Sequence, residues 1–296
     1  MAKKNRVIID AASTVAFRFG LRAFQKGDIA QAERRAERLA LVVYRMDRKH
    51  RERTISNLAM AFPEWDQEKR ESTAQEVYRH FGRIAADFMR TGMRTQEEVL
   101  SAEINGIEHL ESACAVDKGV LLVTAHYGNW ERFAHWYHIQ GHTLSVVARD
   151  ANQGPVTEQL TALRQMAGAE VMPRGNSART ILGKLRAKEF VGILNDQNCA
   201  ECFVPFFGKP CGTVLGPAVL HLRTGAPILQ AYFTRLGPGK YRGEFHEPIL
   251  LGDFDKDPTR ITARLNEVLE SVVRKHPEQW LWLHDRWKSA RQRGML

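Results

Sequence analysis

Between Gly119 and Leu194 short apolar runs alternate with longer segments that have apolar residues at helical spacing, and this alternation restricts the possible folds more than any other feature. Gly119-Val-Leu-Leu-Val-Thr-Ala125 has the unbroken apolar character of a buried strand. A helix follows from Trp130 to Gln140, then a strand from Thr143 to Ala148 and a helix from Gln153 to Ala167. Ala169 to Met172 reads as the next strand, Ser177 to Lys188 as a helix and Phe190 to Leu194 as a strand. Strands linked through helices pair in parallel, so the expected class is α/β, a mostly parallel central sheet flanked by helices. Further on, Ala226 to Arg235 and Tyr241 to Leu251 flank Gly237-Pro-Gly239, which predicts an antiparallel hairpin on that sheet, and a helix from Pro258 to Lys275 closes the core.

Up to about residue 105 the periodicity is helical and no strand is expected. Ala30 to Arg53 mixes Ala, Leu and Val with Arg and Glu. Asp66, after the Pro63 break, is the expected N-cap of a helix whose stripe is Val77, Phe81, Ile84 and Phe88. Two regions result: a helical, basic region over 1–105 and an α/β core over 106–296. The charge is uneven, since residues 1–53 hold a net +8 of the chain's +9. A membrane-spanning helix needs roughly 20 mostly apolar residues. The best candidate, Val7 to Phe24, is broken by Asp10, Arg18 and Arg22, so it is not expected to span. Its apolar residues among Lys3, Lys4, Arg6, Arg18 and Arg22 suit a helix lying on an anionic membrane surface; the alternative is a solvated basic helix packed on its own domain. Four cysteines make no disulfide framework, and no secretory signal opens the chain, so a reducing cytosolic setting is expected. Basic clustering also suits nucleic acid, but no nucleic-acid module, P-loop or G-x-G-x-x-G accompanies it, and no nucleic-acid partner is expected.

In an open α/β sheet, ligands bind beyond the carboxyl ends of the strands. There, directly after the first core strand, stands His126-Tyr127-Gly128-Asn129-Trp130-Glu131. With the histidine at the strand end and the carboxylate in the next helix's first turn, Glu131 can fold back to accept an imidazole N–H, Gly128 supplying the freedom for the reversal. An imidazole held in this way has a fixed tautomer and can take a proton from a substrate hydroxyl, an effect typically worth about 10²–10⁴-fold. The alternative is a strand-end histidine with a local hydrogen bond and a glutamate that complements the helix dipole. Cys199, Cys202 and Cys211 with His221 have the look of a zinc set but fall short at three nearby sulfurs, and inert thiols are expected. His135, His138 and His142 read as a histidine face on one helix rather than a metal site.

The His126–Glu131 segment resembles the signature of the lipid A biosynthesis acyltransferases, the late acyltransferases that move a fatty acyl chain from acyl carrier protein onto a lipid A precursor. Three more segments fit the same family in order. Asn57-Leu58-Ala-Met-Ala-Phe62-Pro63 is similar to its N-L-x-x-A-F-P element. Asp196-Gln197 followed by Val204-Pro-Phe-Phe-Gly208 resembles its D-Q and V-P-F-F-G block. Pro277-Glu-Gln-Trp280-Leu-Trp282 with Arg286-Trp-Lys288 resembles its closing P-E-Q-W-x-W and R-W-K elements. The resemblance implies a glycerolipid-acyltransferase-like fold, with His126 deprotonating an acceptor hydroxyl, Glu131 orienting the imidazole, and a thioester of acyl carrier protein or coenzyme A as co-substrate. No cofactor or metal is then needed. The acceptor is a lipid A precursor or another membrane lipid or glycolipid, at the cytoplasmic face of the inner membrane. Arg149 and Arg174, ending the second and third core strands, are the cations available for an oxyanion or a sugar phosphate, or else for ordinary salt bridges. Asp196 and Gln197, ending the fourth, face the same crevice as substrate contacts, or else serve turn formation and capping. Many members begin with a clear membrane-spanning helix; here charges break that stretch, so peripheral anchorage is expected.

Overall fold

The computed structural model describes residues 19–147, 155–172 and 177–296. The amphipathic candidate from Val7 to Phe24 therefore lies almost wholly outside the described residues; only its end, within a helical stretch over 19–25, is included.

After the helical stretch over 19–25 come three longer helices, α1 (Ile29–Met46), α2 (Arg48–Ala61) and α3 (Gln67–Met89), each capped by an aspartate. Asp28, Asp47 and Asp66 accept the backbone N–H of Gln31, His50 and Lys69. Such caps satisfy amides that have no intrahelical partner, each worth about 1 kcal/mol. Asp66 thus stands where it was expected. The single run read from Ala30 to Arg53 does not hold: Asp47 ends α1 and caps α2, turning the chain between them. Val77, Ile84 and Phe88 of α3 are buried as the stripe requires.

A short helix α4 (Gln96–Leu100), strand β1 (Glu103–Asn105) and helix α5 (Ile107–Ala115) follow. β1 lies where no strand was expected. It is a three-residue edge strand with two exposed positions, so it lacks the apolar pattern that marks the others.

The core then runs β2 (Val120–Thr124), α6 (Trp130–Ile139), β3 (Leu144–Val147), α7 (Pro155–Met166), β4 (Glu170–Met172), α8 (Ser177–Arg186) and β5 (Phe190–Leu194). After β6 (Cys202–Phe206), β7 (Lys209–Thr213) and α9 (Gly216–Thr224) come β8 (Ile228–Gly237), β9 (Lys240–Phe245), α10 (Pro258–Lys275) and α11 (Lys288–Gln292). The seven-stranded sheet has the order β1-β9-β8-β2-β5-β3-β4, and only the β8–β9 hairpin pairs antiparallel. This is the mostly parallel, helix-flanked sheet that the alternation implied. β2 shows why both its faces are apolar. Val120 and Leu122 pack with Phe133, Tyr137 and Phe233, whereas Leu121 and Val123 pack with Ile181, Leu185 and Leu265. Burying each such side chain contributes about 1.5–3 kcal/mol.

β6 and β7 form a separate antiparallel hairpin turned by Phe207 and Gly208, both at positive φ, the geometry of a tight two-residue turn. The hairpin was not expected from the sequence, where this block was read as a motif without secondary structure. With Trp280, Trp282 and Trp287 it builds a third core cluster, which reaches Ala125 and Tyr127 at the end of β2.

Candidate active site

The site is set by strand register. β2 and β5 pair in parallel from Val120 opposite Phe190 to Thr124 opposite Leu194, and Asn195 N–H continues the ladder to the Thr124 carbonyl. The same offset carried one residue further brings His126 opposite Asp196. The two side chains meet: Nδ1 of His126 lies 2.8 Å from Oδ1 of Asp196, and the His126 backbone N–H donates to Oδ2 at 2.8 Å. The Trp280 indole N–H donates to the same Oδ2 at 2.9 Å.

The Asp196 side chain is 2 % exposed and that of His126 19 %. Burial alone would push the Asp196 carboxyl up, but the charge of His126 and the hydrogen bonds from His126 and Trp280 outweigh it, so its pKa lies below the ordinary carboxylate value. Asp196 is therefore an acceptor at neutral pH. Nδ1 must carry the imidazole proton, and Nε2 is left as the basic nitrogen.

This corrects the expected pairing. Glu131 does not hold the imidazole; its carboxylate is taken by Arg164 of α7, whose Nε lies 3.0 Å from both oxygens and whose Nη2 lies 2.5 Å from Oε1. Glu131 lies in the first turn of α6 and its carboxylate meets Arg164 in the last turn of α7, while Asp196 is carried to the imidazole by the neighbouring strand. Burial acts to lower the Arg164 pKa, but the hydrogen bond and charge of Glu131 prevail and it is raised. Asp196, read as a substrate contact or a cap, is instead the imidazole's carboxylate. Gln197 offers its carbonyl to Arg286 Nη1 at 3.2 Å, which anchors the loop behind Asp196. Arg149 and Arg174 lie outside the described residues.

Gly128 makes the turn possible. Its φ is +56°, and a Cβ there would stand 2.0 Å from the Phe233 carbonyl oxygen. The next residue, Asn129, caps α6 and donates its amide to Asp87 at 2.6 Å and to the Tyr241 hydroxyl at 3.0 Å. Among the described residues no group of three or more His, Cys, Asp or Glu is arranged to hold a metal ion. Cys202 and Cys211 donate to backbone carbonyls, and burial pushes the Cys211 thiol up to about 11, which makes it inert.

Residues 11–289 match the family of bacterial lipid A biosynthesis acyltransferases. The chain belongs to this family. It is 27% identical to a lipid A biosynthesis acyltransferase of Haemophilus influenzae, over 80% of this chain and 75% of that one. It is 25% identical to the lipid A biosynthesis palmitoleoyltransferase of Escherichia coli, over 79% and 77%. A phosphatidylinositol mannoside acyltransferase of Mycobacterium tuberculosis is 28% identical over 64% of this chain and 60% of its own. The chain is thus an acyltransferase, as the four collinear elements implied.

In this acyltransferase those four elements converge on the His126–Asp196 pair. Gly128 N–H donates to the Gln279 carbonyl and Leu281 N–H to the His126 carbonyl, so the P-E-Q-W-x-W element clasps the turn from both ends while its Trp280 reaches Asp196. Asn57 of the N-L-x-x-A-F-P element donates to the carbonyls of Trp282 and His284 at 2.8 and 2.9 Å. Phe206 of the hairpin packs on Trp280 and Trp287. Arg286, fully buried, binds the Gln197 and Gly212 carbonyls and the Thr213 hydroxyl, tying the hairpin to the Asp196 loop. Sequence reasoning missed Trp280 and Arg286 as parts of the site; their only signal was membership in motifs 84 and 89 residues from their partners.

Proposed function

We propose that the chain moves a fatty acyl group from a thioester of acyl carrier protein or coenzyme A to a hydroxyl of a lipid A precursor-like glycolipid, at the cytoplasmic face of the inner membrane. His126 is the general base and Asp196 its partner. The acceptor O–H gives its proton to Nε2 while its oxygen attacks the thioester carbonyl carbon. The resulting oxyanion collapses, the C–S bond breaks, and the leaving sulfur takes the proton back from the imidazolium. An ester and a free thiol are the products, and no cofactor is consumed.

The observation that supports this reading is the two-point bond between Asp196 and His126, which orients the imidazole and favours a proton on Nδ1, the tautomer a general base working through Nε2 requires. Glu131 acts through Arg164 in the last turn of α7, whose guanidinium it holds in a bidentate pair, and Arg149 and Arg174 are the further cations proposed to meet the oxyanion or an acceptor phosphate. Kinship with both lipid A and phosphatidylinositol mannoside acyltransferases supports a glycolipid acceptor as the broader class.

The test is to incubate the purified chain with an acyl-carrier-protein thioester and, in parallel, a lipid A precursor and a phosphatidylinositol mannoside, and to weigh the lipid products. Gain of one acyl group by the lipid A precursor is expected, and its absence in His126→Ala. Release of free fatty acid alone, or equal product from His126→Ala, would defeat the reading.

A further inference from the structure

His284, between Trp282 and Arg286, is a half-buried imidazole that the acyl-transfer steps do not use. Its Nε2 accepts the Asn198 backbone N–H at 2.8 Å. Asn198 stands two residues beyond Asp196, and its side-chain oxygen accepts the Ser289 N–H at 3.0 Å and the Ser289 hydroxyl at 2.7 Å. The segment that carries His284 is itself fixed. Asn57 donates to the His284 carbonyl at 2.9 Å, the His284 N–H bonds the Leu281 carbonyl at 3.2 Å, and the Leu281 N–H bonds the His126 carbonyl at 3.1 Å. Hydrogen bonds therefore run from the His126 backbone through Leu281 and His284 to Asn198, and the Asp196 side chain closes the circuit on His126. On its strand side Asp196 follows Asn195, whose N–H is held by the Thr124 carbonyl; on its other side the loop is held by Arg286 at Gln197 and by His284 at Asn198.

We propose that His284 is a positioning residue for the acyl transfer that works only while its ring is neutral: by accepting the Asn198 amide it fixes the loop that sets Asp196 against His126, and its protonation releases that loop. This rests on the reading of His126 as the base and Asp196 as its partner. An acceptor at Nε2 requires the ring's single proton to sit on Nδ1. A charged ring has N–H groups on both nitrogens, so it would meet the Asn198 N–H donor against donor. It would also draw on the carboxylate charge that the His126 imidazolium needs during transfer.

The surroundings keep the ring in its neutral form at neutral pH. Burial holds the His284 pKa below its ordinary 6.5, with Arg286 and His126 acting in the same direction and Asp196 and Asp285 opposing them. From α2, Arg53 bonds the Leu283 carbonyl and pairs with Asp285 at 4.0 Å, against the residues on either side of the ring.

The experiment compares the full-length wild type with His284→Gln, which puts an amide oxygen near the place of Nε2 and does not titrate, and with His284→Leu, which has no acceptor. Initial rates of thiol release from an acyl-carrier-protein thioester with a lipid A precursor are measured across pH, and the His284 pKa is read separately from the ring ¹⁵N shifts. At neutral pH His284→Leu should lower kcat about tenfold with KM within about twofold, the factor expected for one lost hydrogen bond, and His284→Gln should recover to within about threefold of wild type. Below the measured His284 pKa the wild type should lose about tenfold more rate than His284→Gln; His126 titrates in both, so their ratio isolates His284. Thermal unfolding verifies that each variant is folded, and the wild-type and His284→Gln pair decides the matter if His284→Leu is not. A kcat in folded His284→Leu within twofold of wild type, or acid limbs of wild type and His284→Gln that superimpose, would overturn the proposal. Either result with an inactive His126→Ala costs this proposal alone, whereas wild-type turnover in His126→Ala removes the base reading and this proposal with it.

Discussion

Replacing Asp196 by asparagine keeps the shape of the side chain and inverts one hydrogen-bonding requirement. The carboxylate receives three N–H groups, from His126 N, His126 Nδ1 and the Trp280 indole. An amide can accept on only one side. Its oxygen is best placed toward the two fixed donors, His126 N–H and Trp280 N–H, which turns the amide NH₂ toward Nδ1. The imidazole then relieves the clash by moving its proton to Nε2, the nitrogen that the reaction needs bare. The variant also loses the charge that stabilises the imidazolium, about 4 kcal/mol for charges roughly 4 Å apart at an effective dielectric near 20. That corresponds to a fall in kcat of about 10³-fold with little change in KM. Initial rates of thiol release from the acyl thioester in the presence of acceptor measure it. The acidic limb of the rate profile should also move to lower pH, since the imidazolium has lost its partner. A rate within tenfold of wild type, with the large loss found instead in Glu131→Gln, would refute the reasoning.

Three further outcomes follow from the site's supports. Gly128→Ala places a methyl group against the Phe233 carbonyl at positive φ, and should cost about 2–3 kcal/mol in urea unfolding. Asp87→Ala strands two guanidinium groups, those of Arg94 and Arg132, in a buried site and frees Asn129, for a loss of about 3–5 kcal/mol in the same assay. Burial pulls His80 down to about 3 from an ordinary 6.5, despite its bond to the Gly128 carbonyl. Because the unfolded chain binds that proton more readily, the stability His80 contributes is complete above its unfolded value and drains as pH falls from 6.5 toward 3. His80→Gln should remove this slope, a difference of about 2 kcal/mol near pH 5 between wild type and variant in denaturant titrations.

Of the strands from Gly119 to Leu194, β2 was legible because it is covered on both faces and so is apolar along nearly its whole length, the shorter β3, β4 and β5 because helices separate them, and Asp66 because a cap before a periodic stripe leaves a local mark. β1 and the break at Asp47 left weaker marks: one is a half-exposed edge of three residues, the other a cap inside a continuous helical pattern. At the site, His126 and the strand-end place of Asp196 could be read, but their pairing could not. Glu131 is five residues from His126 and Asp196 is seventy, and only the β2–β5 register makes the distant one the neighbour. Trp280 and Arg286 act through contacts between remote segments, for which spacing offers no cue.

The most direct measurement is ¹⁵N NMR of the histidine-labelled protein at neutral pH, with the His126 signals assigned by their loss in His126→Ala. An imidazole protonated on Nδ1 and carrying no proton on Nε2, with that preference abolished in Asp196→Asn and kept in Glu131→Gln, is the predicted result. A proton on Nε2, or a preference that disappears with Glu131 rather than Asp196, would contradict it.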